Sequence, residues 1–166
     1  MKIGLLSDTH SYLDDRVISY LQGSDEIWHA GDIGTTSVLD ALNEIAPVRA
    51  VYGNIDNKEI RMDAPLDQIF EMEKMKVWMT HVGGYPGNYE RRIREQINLI
   101  KPDIFITGHS HILKVIRDQQ LGLLHINPGS CGIYGMHKFR TLIKMEILNG
   151  LITDLKVIEL GIRGKI

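Results

Sequence analysis

Residues 3–10 read Ile3-Gly4-Leu5-Leu6-Ser7-Asp8-Thr9-His10. A short apolar run that suits a buried strand ends in a carboxylate and, two positions on, an imidazole. Four later stretches repeat this form. Residues 26–30 run into Gly31-Asp32, 48–52 into Gly53-Asn54, 77–80 into His81, and 104–107 into Gly108-His109-Ser110-His111. Each is expected to be a strand with a metal-ligand type of side chain at its carboxyl end.

Helical patterns fall between several of these runs. Leu13, Val17 and Leu21 recur every fourth residue, with Gly23 as a stop. Val38, Leu39, Leu42 and Ile45 predict a second helix, capped by Thr36 or Ser37 and closed by Pro47. Tyr89, Ile93, Ile97 and Ile100 predict a third, ended by Pro102. Strands alternating with helices imply parallel strands joined by crossover helices. Ligands bind outside the carboxyl ends of such strands, so the five polar tips are expected on one edge. On its own, His109-Ser110-His111 also fits two histidines sharing one strand face.

The last third has a different texture. Residues 112–117 and 121–126 predict a hairpin about Asp118-Gln119-Gln120. Residues 139–148 and 151–160 predict another, turned by Asn149-Gly150. The expected class is therefore mixed α/β, with an antiparallel section last.

The chain has 166 residues, which suits one domain over 1–166. Its formal net charge of −2, without a basic block, argues against strong nucleic-acid binding. Cys131 is the sole cysteine, which excludes an internal disulfide and a thiolate metal cluster. It is expected to be a small apolar filler. The opening stretch does not fit a signal peptide, and no stretch reaches membrane-spanning length. A cytoplasmic location with no membrane partner is the expectation. Homo-oligomerisation is left open.

Singly, the polar tips carry little, since short motifs occur often by chance. Together they supply two carboxylates, one amide and four imidazoles: Asp8, His10, Asp32, Asn54, His81, His109 and His111. That donor set, without soft sulfur, suits Mn, Fe, Zn or Ni. Seven donors are too many for one open catalytic ion but fit two ions that share a carboxylate.

The series Asp8-Thr9-His10, Gly31-Asp32, Gly53-Asn54-Ile55-Asp56, His81 and Gly108-His109-Ser110-His111 resembles the calcineurin-like metallophosphoesterases. The likeness is greatest to their small, single-domain phosphodiesterase branch, whose fold the retromer scaffold subunit shares. The stretch 127–130, Asn-Pro-Gly-Ser, resembles that branch too. The resemblance implies a metallo-dependent phosphatase-like fold, a four-layer sandwich of two mixed sheets with helices outside. It implies two divalent ions, Mn2+ first among the candidates. Asp8, His10, Asp32 and His111 would hold one. Asp32, Asn54, His81 and His109 would hold the other and carry the catalytic role, with Asp32 bridging. Two cations roughly 3.5–4 Å apart can share a water and make it a hydroxide near neutral pH, ready to attack phosphorus. The expected substrate is a small-molecule phosphate ester, a diester before a monoester.

Ile55 stands where larger members of that family carry a histidine that protonates the leaving group. General-acid help is worth typically about 10²–10⁴-fold, so esters with poor leaving groups are expected to react slowly. Asp56 is read as a carboxylate that bonds backbone or orients His10 rather than as a catalyst. Gly83, Gly84 and Gly87 allow a mobile loop at the site mouth, with an ordinary flexible loop as the alternative. His29 and His125 are expected to be structural, His137 to lie in a loop at the site's rim, and Arg91, Arg92 and Arg94 to form a solvated face. The competing function is a non-catalytic interaction scaffold, as the retromer subunit exemplifies. Hydrolysis at a centre other than phosphorus ranks lower, because the ligand order differs from the amidohydrolase pattern.

Overall fold

The computed structural model describes residues 1–164; of the domain expected over 1–166, the last two lie outside the described residues. Two five-stranded mixed sheets dominate the chain. In the first, β1 (Lys2–Leu6), β2 (Glu26–His29) and β3 (Val48–Ala50) run parallel. The two helices between them, α1 (Asp15–Leu21) and α2 (Thr36–Asn43), are the crossovers that parallel pairing demands. α3 (Lys58–Asp63) follows. It leads to the second sheet, which begins with β4 (Asp67–Met72) paired antiparallel to β5 (Met75–Thr80).

After β5 a small hairpin, β6 (Gly84–Tyr85) with β7 (Asn88–Tyr89), leads into α4 (Arg91–Ile100). β8 (Ile104–Ile106) then lies parallel to β5. β9 (Lys114–Asp118) and β10 (Leu123–Asn127) complete this sheet in the order β4-β5-β8-β10-β9. The chain returns to the first sheet through β11 (Phe139–Leu148) and β12 (Leu151–Ile162), giving β12-β11-β1-β2-β3.

The core falls into layers that follow from the strand patterns. Ile3, Leu5 and Trp28 of the first sheet meet Val77, Met79, Ile104, Ile106 and Ile126 of the second. On the outer face of the first sheet, Leu6 and Ile27 pack against Val17, Leu21, Val38, Leu42 and Ile60 of the helices. On the outer face of the second, Trp78 and Phe105 pack against Ile93 and Ile97 of α4. Helices, sheet, sheet and helix make four layers, as expected. Burying both faces of each central strand explains their nearly continuous apolar runs. Cys131 is buried in the first helical layer, where burial pushes its thiol up to about 12.

Two expectations need adjustment. The glycine-rich stretch after His81 is no open loop. It folds into the β6–β7 hairpin, tied by Glu90 N–H to Gly83 O and by the His125 ring to Gly84 O. Tyr89 belongs to β7 rather than to α4, and its hydroxyl donates to Asp118.

Candidate metal centre

All the parallel strands carry their polar tips to one end, where the two sheets meet. The tip of β1 continues as a ladder beyond the strand: Asp8, His10 and Ser11 donate backbone N–H bonds to Gly31, Asp32 and Ile33. Across the sheets, Gly108 N–H donates to His81 O, and His109 N–H donates to Asp8 Oδ2 at 3.2 Å. The loop after β10 closes the far side, with Cys131 and Gly132 N–H donating to Ser7 and Asp8 carbonyls.

Six of the seven side chains singled out from sequence come together here as two adjoining groups, Asp8 with His10 and His111, and Asp32 with His81 and His109. Asp8 Oδ1 lies 3.1 Å from His111 Nε2 and 4.0 Å from His81 Nε2. Asp32 faces both groups, with Oδ1 at 3.2 Å from His81 Nε2 and Oδ2 at 3.8 Å from His10 Nε2. His10 and His111 bring their Nε2 atoms to 3.3 Å. Asn54 is exposed and lines the cleft beside His81, together with Tyr52, Leu66 and Arg92.

The backbone pays for this convergence. Asp8, His10, Asp32, His109 and His111 all sit at positive φ, between 49° and 66°. Such conformations cost non-glycine residues about 1–3 kcal/mol each and persist at functional sites because the surroundings fix them. His109 and His111 are therefore not on a strand; β8 ends at Ile106, and a tight loop aims them. The glycines between them leave necessary space. A Cβ on Gly53 would collide with the Asp32 backbone and carboxylate, and one on Gly108 with Ser7 and the Ala30 carbonyl.

Hydrogen bonds fix the ring states. His81 Nδ1 stands 2.7 Å from the Ala30 carbonyl, which can only accept, so in the neutral ring the proton is on Nδ1 and Nε2 is a bare lone pair. Among the described residues neither His81 Nε2 nor Asp8 Oδ1 has a hydrogen-bond partner, though both are fully buried. Acceptors facing acceptors in a buried site call for positive charge. Burial opposes a charged His81, yet Asp32 and Asp8 outweigh it and hold its pKa above the ordinary value. Burial likewise opposes ionised Asp32, but His81, the Ile55 N–H and His10 hold it below the usual carboxylate range. A hard or borderline divalent cation suits such a donor set.

Around these groups lie residues that hold them. Asp56 is buried and accepts three backbone N–H bonds, from Gly53 at 2.7 Å, Gly34 at 2.8 Å and Ile33 at 3.1 Å. It thus clamps the loop carrying Asp32 to the loop carrying Asn54, the backbone role expected of it. Asn127 Nδ2 donates to Gly108 O at 2.7 Å and holds the His109–His111 loop. Ser130 Oγ donates to Asp8 O. His29 accepts from Gly31 N–H through Nδ1 and meets Thr9 Oγ1 through Nε2 at 2.9 Å, and Thr9 in turn donates to Ile33 O. Burial keeps His29 neutral, with a pKa of about 4.

One residue differs from its expected place, and another keeps its place at the rim with an unforeseen partner. Arg92 is not simply solvated: it pairs with Asp67 at 2.5 Å, donates to Thr80 and lines the cleft beside Asn54. His137 stacks edge-on against His111, with Nδ1 atoms 3.2 Å apart. No spacing rule connects positions 111 and 137; only the return of β10 to β11 past the site brings them together.

Residues 1–150 match the sequence profile described as the calcineurin-like phosphoesterase superfamily domain. A Methanothermobacter thermautotrophicus protein named "Probable metallophosphoesterase" is 31% identical over 137 residues, 78% of this chain and 77% of that one. A phosphodiesterase of Methanocaldococcus jannaschii is 26% identical over 147 residues, 79% of this chain and 84% of its own length. In fold, the chain is similar to wild-type Vps29 of Entamoeba histolytica complexed with Zn2+, at a TM-score of 0.76 and 18% identity over 96% of this chain and 98% of that one.

Proposed function

The chain belongs to the calcineurin-like phosphoesterase superfamily, and from that membership we propose that it is a two-metal phosphodiesterase acting on small phosphate esters. In this reading Asp8, His10, Asp32 and His111 hold one divalent ion, and Asp32, Asn54, His81 and His109 hold the other. The observation that carries it is the contiguity of the two donor groups, with buried Asp8 Oδ1 and His81 Nε2, neither of them hydrogen-bonded among the described residues, turned toward each other at 4.0 Å. The M. jannaschii relative named a phosphodiesterase supports the diester preference.

When bound, a pair of divalent ions supplies charge neutralisation for the phosphoryl oxygens and acidifies a water to serve as nucleophile. The chain's own residues do the rest. Asp8 and Asp32 supply the negative charge that lets two dications sit close together. The Ala30 carbonyl fixes the His81 proton on Nδ1 and so keeps Nε2 available as a donor. Ile55, 47% exposed beside Asn54, has no proton to give a departing oxygen. Leaving groups that depart as stable anions, such as acidic phenols, are therefore favoured over alkoxides.

A non-catalytic metal-binding scaffold is the second reading, supported at the level of fold by the likeness to Vps29. Hydrolysis of aryl phosphate diesters and monoesters, with and without added Mn2+, separates the two. The enzyme reading expects metal-dependent turnover, faster on the diester, that Asp32→Ala lowers at least about 100-fold. Tight metal binding without turnover on any phosphoester would establish the scaffold, and near-normal activity in Asp32→Ala would defeat the site assignment.

A further inference from the structure

His137 lies outside every motif in the donor series. Its Nε2 is 3.1 Å from the Gly132 carbonyl, an acceptor only, so Nε2 carries the proton. In neutral His137 that leaves Nδ1 as a bare lone pair, and it faces His111 Nδ1 at 3.2 Å. The bond between the rings then runs one way, with His111 Nδ1–H donating to His137 Nδ1. His111 Nε2 is left unprotonated, and it is this atom that meets Asp8 Oδ1 at 3.1 Å and His10 Nε2 at 3.3 Å.

The surroundings are built for this pair. Gly135 has a φ of 123°, and a Cβ there would collide with the His111 ring and crowd His137 Nδ1. Gly132, which anchors His137 through its carbonyl, donates its own N–H to the Asp8 carbonyl at 3.0 Å. One short segment thus touches both Asp8 and His111. Downstream, the Arg163 side chain donates to the His137 carbonyl at 3.0 Å and pins that residue from behind.

We infer that His137 is a positioning residue that fixes the tautomer and orientation of His111, so that Nε2 is presented as a donor to the metal held with Asp8 and His10. The inference rests on the two-metal reading above. A hydrogen bond to the far nitrogen of a ligating histidine raises its basicity and orders its ring, and losing such a partner typically costs about 10–100-fold in metal affinity.

Two variants and one spectrum test it. His137→Phe keeps the ring's volume but neither accepts nor donates. His137→Gln keeps an acceptor for His111 and a donor for Gly132. Competition with a chelator for Mn2+ and Zn2+ is expected to show one of two bound ions weakened about 10–100-fold in His137→Phe and largely recovered in His137→Gln. Melting of the metal-free proteins serves as the control for a merely structural role and is expected to change little. In the metal-free wild type, long-range nitrogen-15 correlation spectra are expected to place the His111 proton on Nδ1, a reading that needs no variant. Unchanged affinity in His137→Phe, or a His111 proton on Nε2, would overturn the inference while leaving the two-metal reading intact. A wild type that binds no metal would instead bring down that reading and this one with it.

Discussion

Asp56 illustrates how much a single buried carboxylate can organise. Its oxygens accept from Ile33, Gly34 and Gly53, three donors on two different loops. Removing the acceptor leaves these N–H groups in a buried setting, and each unsatisfied donor costs about 1–3 kcal/mol. Asp56→Ala is therefore expected to lose about 3 kcal/mol or more in urea denaturation of the metal-free protein; a loss under about 1 kcal/mol would show that water replaces the carboxylate. At this scale the sequence was informative about donors and poor about their supports. Asp8, His10, Asp32, His81, His109 and His111 were legible because each follows a strand-like run, and the parallel strands carry them to one end. Asn54 follows such a run too, and the fold puts it on the cleft wall beside His81. His137 and Ser130 were not legible as partners of His111 and Asp8, since their contacts span 26 and 122 residues.

Elements announced themselves where side-chain chemistry matched backbone demand. Asn149 and Gly150 adopt φ of 50° and 82°, the left-handed pair that a two-residue hairpin between β11 and β12 requires. The β4–β5 hairpin uses the same geometry with unsuitable residues: Glu73 and Lys74 stand at φ of 49° and 69° between paired Met72 and Met75. Glu-Lys is no turn signal, which is why β4 was invisible in the sequence. Glu73 has a compensating task, accepting from Asn149 N–H. Lys74 makes no such contact among the bonds described, so Lys74→Gly is expected to stabilise the protein by about 1 kcal/mol, read from its denaturation midpoint. A lower midpoint would mean that glycine's freedom in the unfolded chain outweighs the relief. α3 went unseen for another reason. At six residues it is too short to display a period, though Asn57 caps it by accepting from Ile60 N–H.

For the molecule as a whole, the division into two sheets could not be read from strand patterns alone. A run such as 104–106 is apolar throughout and buried on both faces whichever sheet it joins; it was the family resemblance that implied two. The four layers bury two histidines that the donor series does not use. His29 and His125 are both driven down to about 4 by burial. In the unfolded chain each takes up a proton near 6.5. Between those two values the unfolded state binds more protons, so stability must fall as pH drops from about 6.5 toward 4 and stop falling on their account below that. Each residue contributes up to about 3 kcal/mol to the loss. Urea denaturation of metal-free protein at several pH values is expected to show this decline, with a shallower slope in His125→Gln. Equal slopes would indicate that His125 is solvated in the native state. No helix among the described residues is long and apolar enough to cross a membrane.

In the proposed two-metal centre, three loops with left-handed backbone and two further strand tips are held together around a pair of cations. Anomalous diffraction from crystals soaked in Mn2+ tests it most directly. Two peaks are expected, one among Asp8, His10 and His111 and one among Asp32, His81 and His109, with Asp32 between them. Diffraction that places no manganese among these residues would contradict it.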